Sequence, residues 1–236
     1  MRWLGIDAGG TKTAFATYDE TLTQLNRFEL PTSHYAQAGF DGMEAVLAEG
    51  IARAEAAGLL GEQYGIGIGM CGYGEGTTST ARIEQIAAKV AGAHPYALVN
   101  DVESAWAAGL NLADGIVIIA GTGSIAYGVH GERSLRCGGW DYELGDEGSG
   151  GWLGKELLRA RQCDGRDPAG PLRNLVRQEL ELADYFDIIA FAQEHMANRS
   201  RISALAPLVS KAAAAGDASA RRILERAATE EAEMVA

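Results

Sequence analysis

Apolar positions in the first 112 residues follow two spacings, alternate positions typical of strands and every third or fourth position typical of helices. Runs with the first spacing predict five strands, at residues 3–7, 13–18, 22–30, 64–70 and 95–99. Helices are predicted between or after them, at 41–57, 79–91 and from residue 100 or 101 to about 110. Three strands followed by helix, strand, helix, strand and helix make one complete α/β unit.

The same opening pattern then starts again. Residues 115–120 and 125–130 form two predicted strands around a glycine turn, with a third strand near 134–137. The two openings, Gly-Ile-Asp-Ala-Gly-Gly-Thr and Ile-Ile-Ala-Gly-Thr-Gly-Ser, are weakly similar and lie about 113 residues apart, which indicates a duplicated fold. After Gly150 the predicted elements are helices, at 151–162, 171–182, 185–197, 203–215 and 218–236, with a loop at 164–170.

We therefore predict an α/β protein of two lobes with a cleft between them. Its 236 residues suit one large domain or two small ones. The N-terminal lobe takes residues 1–112 and the C-terminal lobe takes residues 113–236. The second lobe carries a helical insertion and lacks the later strands of its unit.

The charge of the chain narrows its partners. Thirty-two acidic and 20 basic residues give a formal net charge of −12, a field that repels nucleic-acid phosphates and anionic lipid. No apolar run approaches the ~20 residues needed to cross a bilayer, and the N-terminus does not resemble a signal peptide. The three widely spaced cysteines, Cys71, Cys137 and Cys163, favour a reducing compartment. We expect a cytoplasmic protein that binds neither nucleic acid nor membranes.

Two glycine turns are the candidate phosphate-binding elements. The first contains Gly9, Gly10, Thr11, Lys12 and Thr13, and the second contains Gly121, Thr122, Gly123 and Ser124. Successive backbone N–H groups in such turns form nests that bind anions. Asp7, just before the first turn, is placed to bind magnesium directly or through water. The alternative is a pair of ordinary hairpin turns, but their recurrence in two similar units argues against it.

Asp101 is the most informative carboxylate in the sequence. It follows the predicted strand at 95–99 and opens a helix, so it lies at the carboxyl edge of the sheet, where open α/β sheets bind ligands. The alternative is that Asp101 only caps its helix. As a cap its pKa would be lowered, leaving an ionised acceptor for a substrate hydroxyl.

A glycine-rich segment at 137–152 combines two tryptophans with four acidic residues. Carboxylates that accept from paired hydroxyls, with an aromatic face over the ring, are typical of sites for neutral sugars. The alternative is a surface loop that ends in a helix start at Ser149.

At these segments the sequence resembles the N-acetylglucosamine/glucosamine kinases of the BadF/BadG/BcrA/BcrD ATPase family, in the actin-like ATPase superfamily. The resemblance rests on four blocks in the family's order: Gly-Ile-Asp-Ala-Gly-Gly-Thr-Lys-Thr at 5–13, Asn-Asp at 100–101, Ala-Gly-Thr-Gly-Ser at 120–124 and Gly-Gly-Trp…Gly-Asp-Glu-Gly-Ser at 138–149. It implies a duplicated ribonuclease-H-like fold with ATP between the lobes, magnesium as cofactor, and an amino sugar phosphorylated at its primary hydroxyl.

The resemblance also implies roles for individual residues. Asp7 would organise magnesium, the two glycine turns would bind the ATP phosphates, and Asp101 would take the proton from the sugar hydroxyl. The residues placed at or beside the sugar are Trp140, Asp146, Glu147, Ser33, His34, Cys71, Gly72 and Asn100.

One departure from the family leaves alternatives open. Family members carry a late Gly-Gly block that contacts adenosine, whereas Gly216 is the one glycine after residue 170 here, so we expect an incomplete second lobe. A redox activator ATPase that holds an iron–sulfur cluster with cysteine thiolates is one alternative. A non-catalytic module that senses a sugar or nucleotide is another. A homodimer is an open expectation.

Overall fold

The protein is described from a computed structural model, which covers residues 1–160, 170–184 and 186–236. Contacts along the backbone divide the chain into two compact units, Met1–Ala113 and Asp114–Ala236. Cys163, most of the predicted loop at 164–170, residue 185 and the last two residues of the helix predicted at 151–162 lie outside the described residues. Within the described residues, no helix combines the length and apolar character needed to cross a membrane.

The first unit is a five-stranded sheet with three helices. Its strands are β1 (Arg2–Ala8), β2 (Lys12–Tyr18), β3 (Gln24–Pro31), β4 (Tyr64–Met70) and β5 (Tyr96–Asn100), in the spatial order β3-β2-β1-β4-β5. The first three pair antiparallel, and β4 and β5 continue the sheet parallel to β1. The helices are α1 (Tyr35–Ala56), α2 (Thr77–Ala91) and α3 (Asp101–Leu110).

Apolar side chains from this sheet and from α1 and α2 form the core of the first unit. Leu4 and Ile68 from the sheet are buried with Leu47 of α1 and Ile83 of α2. Gly50 lets α1 approach β2 closely, because a Cβ at this position would lie 2.0 Å from the Phe15 ring. The parallel half of the sheet is therefore rigidly packed, and its carboxyl edge is a stable platform for side chains.

Helix α1 begins six residues earlier than the sequence predicts. Its backbone leaves the helical conformation at Gly39, where φ is 70°, so the predicted helix at 41–57 corresponds to the part after this kink. The extra turn before Gly39 has no apolar periodicity of its own, and for this reason the pattern misses it.

The second unit has a three-stranded antiparallel sheet followed by helices. Strands β6 (Gly115–Ala120), β7 (Ser124–His130) and β8 (Arg133–Gly138) lie in the order β6-β7-β8. The helices are α4 (Asp141–Leu144), α5 (Gly150–Arg159), α6 (Pro171–Glu179), α7 (Asp187–His195), α8 (Arg199–Ser203), α9 (Ala206–Ala214) and α10 (Ala218–Glu233). The sheet repeats the opening of the first unit, and the described residues after β8 add no strand to it, as the sequence predicts.

The main buried cluster of the second unit is built by helices, and the sheet adds only the buried apolar residues Ile125 and Ala126 of β7. Leu157, Leu172, Val209 and Ile223, from α5, α6, α9 and α10, pack in one cluster. On the sheet, by contrast, Ile116, Ile118 and Leu135 are 51%, 43% and 75% exposed. The short helices α4 and α8 were not predicted, because four or five residues are too few to show a helical period.

Candidate functional site

The carboxyl ends of three parallel strands bring polar residues together in the first unit. In the sheet register Asp7 of β1 lies opposite Gly69 of β4, and Met70 lies opposite Asn100 of β5. Asp101 follows as the first residue of α3, and Gly69 must be a glycine because a Cβ there would meet Ser104 Oγ at 2.3 Å. Asp7 and Asp101 therefore lie at the same edge of the sheet, close enough that their charges interact.

Asp101 has a raised pKa, whereas a capping role alone would lower it. Burial of the carboxyl group is the main cause, and the like charges of Glu75 and Asp7 act in the same direction. A hydrogen bond from Cys71 and one from the Val102 N–H act against the rise. Helix α3 already has its cap in Asn100, whose Oδ1 accepts from the Val102 N–H at 3.1 Å. The Asp101 carboxyl group is thus half-buried in an acidic environment.

Both the oxygen and the nitrogen of the Asn100 side-chain amide are hydrogen-bonded within the protein. Its Oδ1 caps α3, and its Nδ2 donates to the Tyr73 carbonyl at 2.8 Å. The side chain therefore fixes the start of α3 and the orientation of the neighbouring Asp101.

The two other predicted sugar-side segments of the first unit meet each other. At Gly72, where φ is +83°, a Cβ would lie 3.2 Å from His34 Nε2 and 2.9 Å from the Tyr35 ring. Cys71 is half-buried beside Asp101, whereas Ser33 is buried and its Oγ accepts from Thr13 Oγ1 at 2.9 Å. His34, Cys71 and Gly72 thus belong to the same edge as Asp101, with Ser33 as a buried anchor beneath them.

In the first glycine turn some backbone groups are hydrogen-bonded within the protein and two N–H groups are not. The Gly9 N–H donates to the Lys12 carbonyl at 3.0 Å, while Thr32 Oγ1 and Gln37 Nε2 donate to the carbonyls of Gly9 and Gly10. The N–H groups of Gly10 and Thr11 donate to no group in the described part of the chain. Two successive free donors are what an anion nest requires.

Lys12 and Thr13 complete the first turn in other ways. Lys12 Nζ pairs with Glu29 at 2.6 Å on the exposed surface, and Thr13 is fully buried in its hydrogen bonds with Ser33. The side chains of Lys12 and Thr13 are therefore both engaged in contacts within the protein.

The second glycine turn also has one internal backbone hydrogen bond, but other residues hold it in place. The Gly121 N–H donates to the Gly123 carbonyl at 2.9 Å, and the N–H groups of Gly150 and Gly151 donate to the carbonyls of Gly121 and Thr122. The N–H groups of Thr122 and Gly123 donate to nothing within the described residues. Ser124 is buried, its N–H facing Asp146 Oδ1 at 3.3 Å and its hydroxyl donating to the Glu147 carbonyl at 2.5 Å.

Asp146 connects this turn to a distant helix. It is 3% exposed and adopts a positive φ of 59°, which aims its carboxylate at the turn. Arg199 of α8 lies over it, with Nη2 3.0 Å from Asp146 Oδ2 and Nη1 3.0 Å from Asp141 Oδ1. Burial raises the pKa of Asp146, and the Arg199 charge opposes the rise.

Trp140 and Glu147 lie in the same glycine-rich segment of the sequence as Asp146. The Trp140 side chain is 73% exposed in the segment between β8 and α4. Glu147 is half-buried, and Ser149 caps α5 by accepting from the Trp152 N–H at 3.1 Å. The segment is therefore an ordered turn with one exposed aromatic face.

Four residues of the sites were missed by the sequence reasoning. Thr32 and Gln37 brace the first turn, Glu75 faces Asp101, and Arg199 faces Asp146. Thr32 adjoins the predicted Ser33–His34 segment and could have been found there. Arg199 lies 53 positions after Asp146 (199 minus 146), and no local pattern marks it.

This topology is the ribonuclease-H-like fold of the actin-like ATPase superfamily, as the sequence predicts. The chain belongs to the BadF/BadG/BcrA/BcrD ATPase family, whose model matches residues 4–236.

Relatives of the chain are sugar kinases. It is 34% identical to an N-acetylmuramic acid/N-acetylglucosamine kinase of Clostridium acetobutylicum, over 96% of this chain and 76% of that protein. It is 30% identical to an N-acetyl-D-glucosamine kinase of Dictyostelium discoideum, over 96% and 75%. A candidate N-acetylglucosamine kinase from Chromobacterium violaceum has a similar crystal structure, with a TM-score of 0.77, 25% identity, and coverage of 99% of this chain and 81% of that one.

Proposed function

We propose that the protein transfers the γ-phosphoryl group of ATP to the primary hydroxyl of an amino sugar, N-acetylglucosamine or glucosamine. The observation that carries this proposal is Asp101, a half-buried carboxylate with a raised pKa at the carboxyl edge of the parallel strands. The names of its relatives support the same reaction class.

Asp101 is the proposed general base. The hydroxyl oxygen of the sugar attacks the γ-phosphorus, its proton passes to the Asp101 carboxylate, and the bond to the β–γ bridging oxygen breaks to release ADP. A raised pKa makes the carboxylate a better proton acceptor, provided it stays ionised at the working pH. Asn100 positions this base through its cap on α3.

The glycine turns are the proposed phosphate-binding elements. The N–H groups of Gly10 and Thr11 in one unit, and of Thr122 and Gly123 in the other, are the donors that no described group uses. Gly9 and Gly121 close the turns, whereas Thr13 and Ser124 anchor them from inside. Lys12, now paired with Glu29, adds a positive charge beside the first turn.

Asp7 fits a magnesium ion that accompanies the nucleotide. Its carboxylate is exposed at the end of β1 and accepts no hydrogen bond within the described residues. Mg²⁺ is commonly held by one or two carboxylates, water and phosphate oxygens, so a single carboxylate at this edge is enough for the proposed site. Bound there, the ion would neutralise charge on the phosphates, and Asp7 would orient it.

Amino-sugar recognition is assigned to residues of both units. His34, Cys71 and Gly72 lie along the edge that carries Asp101, with Ser33 anchoring the loop. Trp140 offers an exposed aromatic face, and Glu147 a half-buried carboxylate, of the kinds that bind sugar rings and hydroxyls. Because Asp146 is occupied by Ser124 and Arg199, we propose that it organises this segment.

The test is an ADP-release assay on the purified chain with ATP and magnesium. The panel contains N-acetylglucosamine, glucosamine, N-acetylmuramic acid, glucose and a blank without sugar. We expect release that depends on an amino sugar, with the phosphate found on its primary hydroxyl by NMR. ADP release that is independent of every sugar, or sugar binding by calorimetry without any ADP release, would overturn the proposal.

The aromatic contact has its own test. Trp140→Ala should raise KM for the sugar about threefold to tenfold and leave KM for ATP unchanged, because the lost ring face contacts only the sugar. Leu144→Ala is the matched control, since Leu144 is 83% exposed in the adjoining helix and has no proposed contact. Equal behaviour of the two variants would remove Trp140 from the sugar site.

A further inference from the structure

Arg199 makes two ionic contacts in the second unit that the proposed reaction does not use. It lies on the short helix α8, in the helical insertion, and is 40% exposed. Its guanidinium joins two carboxylates at 3.0 Å, Asp141 and Asp146. The exposed Asp141 pair contributes little to stability, whereas the partner of the buried Asp146 carboxylate matters more.

The guanidinium also lies directly over the second glycine turn. A Cβ on Gly123 would meet Arg199 Nη2 at 2.0 Å and Asp146 Oδ2 at 2.6 Å, so the arginine occupies the space that any side chain would need. Asp146 Oδ1 in turn faces the N–H of Ser124, the last residue of the turn, at 3.3 Å. An unbroken series of contacts therefore runs from α8 through Asp146 to the turn.

We propose that Arg199 is a positioning residue for the phosphate-binding turn at Gly121–Ser124, which it holds in shape by keeping the buried Asp146 carboxylate charged. This inference rests on the proposed function for its kinetic consequences and on the geometry alone for its effect on stability. Arg199 touches neither substrate nor reacting atoms in this role and acts through Asp146.

The charged groups around Asp146 define what removal of Arg199 does. Burial is the main cause that raises its pKa, and Asp141 of α4 adds to the rise. Arg199 of α8, the Ser124 N–H of β7 and Lys155 of α5 lower it. Arg199 is the largest of the lowering causes, so an Arg199→Ala variant should have an Asp146 that takes up a proton at higher pH.

Two opposite pH trends are then expected for Arg199→Ala, one in kcat/KM for ATP and one in Tm, each compared with the wild type at the same pH. Where Asp146 is protonated it accepts the Ser124 N–H less strongly, so kcat/KM for ATP in Arg199→Ala should fall about fivefold more at pH 6 than at pH 8.5. Where Asp146 is ionised without its partner it destabilises the fold. The loss of Tm in Arg199→Ala should therefore increase as the pH rises through the pKa of Asp146.

Three further variants make the experiment specific. Arg201→Ala, on the same helix but over the Phe191 ring, should show neither trend. Arg199→Lys keeps the positive charge and should restore most of the pH independence. Asp146→Asn cannot ionise, so combining it with Arg199→Ala should abolish the pH dependence of the Tm loss.

The outcomes separate the two claims. If no variant has kinase activity but the Tm loss of Arg199→Ala follows the pH and disappears in the Asp146→Asn background, the proposed function fails and the ionic link stands. If the enzyme is active and Arg199→Ala behaves like Arg201→Ala in both measurements, the inference on Arg199 is overturned. A Tm loss that is the same at all pH values would reduce Arg199 to a packing role and also overturn it.

Discussion

The two glycine turns share two free N–H groups each and are held by different parts of the protein. Each closes with one internal hydrogen bond and leaves two successive N–H groups free. The first is braced by the side chains of Thr32 and Gln37, which lie 23 and 27 positions after the residues they contact, on a sheet packed against helices. The second is braced from the glycine-rich segment and from α8, on a sheet that leaves apolar side chains exposed. Side chains that follow β3 therefore hold the first turn, whereas backbone N–H groups at the start of α5 and the Arg199–Asp146 ion pair hold the second.

The carboxyl groups of Asp101 and Asp146 differ in a similar way. Burial raises the pKa of both Asp101 and Asp146. Asp101 faces the acidic Glu75 and Asp7, and this environment favours uptake of a proton. Asp146 faces Arg199, whose positive charge favours the ionised carboxylate and opposes the effect of burial. The first arrangement suits a base and the second suits a structural anchor.

The largest expected effect breaks this contrast between carboxylates. Asp101→Asn should lower kcat by about 10²–10⁴ with little change in sugar KM, because the proton acceptor is lost and the shape is kept. Asp146→Asn should change kcat far less and raise KM for ATP. Steady-state ADP release measures both, and a change in kcat under about threefold for Asp101→Asn would remove Asp101 from the proposed role of base.

The next effect compares the two sheets by stability. Ile68 in β4 is 1% exposed, so Ile68→Ala should lower the free energy of unfolding by about 2–5 kcal/mol. Ile118 in β6 is 43% exposed, so Ile118→Ala should cost less than about 1 kcal/mol. Urea unfolding followed by circular dichroism measures the difference. Equal losses would show that the β6 side chains are buried in solution.

A smaller effect sharpens the comparison of the turns. Gly123→Ala should cost about 1–3 kcal/mol and raise KM for ATP, because the new methyl group displaces Arg199 from Asp146. Gly67→Ala in β4 is the matched control, since no atom lies within 4 Å of its Cβ, its φ is not positive and it lies outside both turns. The prediction fails if Gly123→Ala matches this control in both unfolding and kinetics.

The smallest effect concerns the pH profile of the proposed base. With no magnesium bound, the acid limb of sugar binding should lie above the usual carboxyl range, since the pKa of Asp101 is raised. Glu75→Gln removes a like charge and should move the limb to lower pH. Cys71→Ala removes a hydrogen bond to the ionised form and should move it to higher pH. Shifts in the same direction would contradict the assigned environment of Asp101.

Much of the fold could be read from local patterns. Alternating apolar residues marked all eight strands, and the position of Asp101 after β5 placed it at the sheet edge without any long-range information. Glycine and hydroxyl residues between strands likewise marked both turns. The sequence did not predict the short helices α4 and α8 or the kinked first turn of α1, because each is too short for the helical spacing to repeat.

What the sequence determined by itself is therefore the set of strands, turns and edge carboxylates, since strand period and turn chemistry act over a few neighbouring residues. Only the tertiary structure decided the charge state and support of each group. The pKa of Asp101 depends on burial and on Glu75 and Asp7, and that of Asp146 depends on Arg199, 53 positions away (199 minus 146). Electrostatic forces act through space, so their partners are known only once the chain has folded.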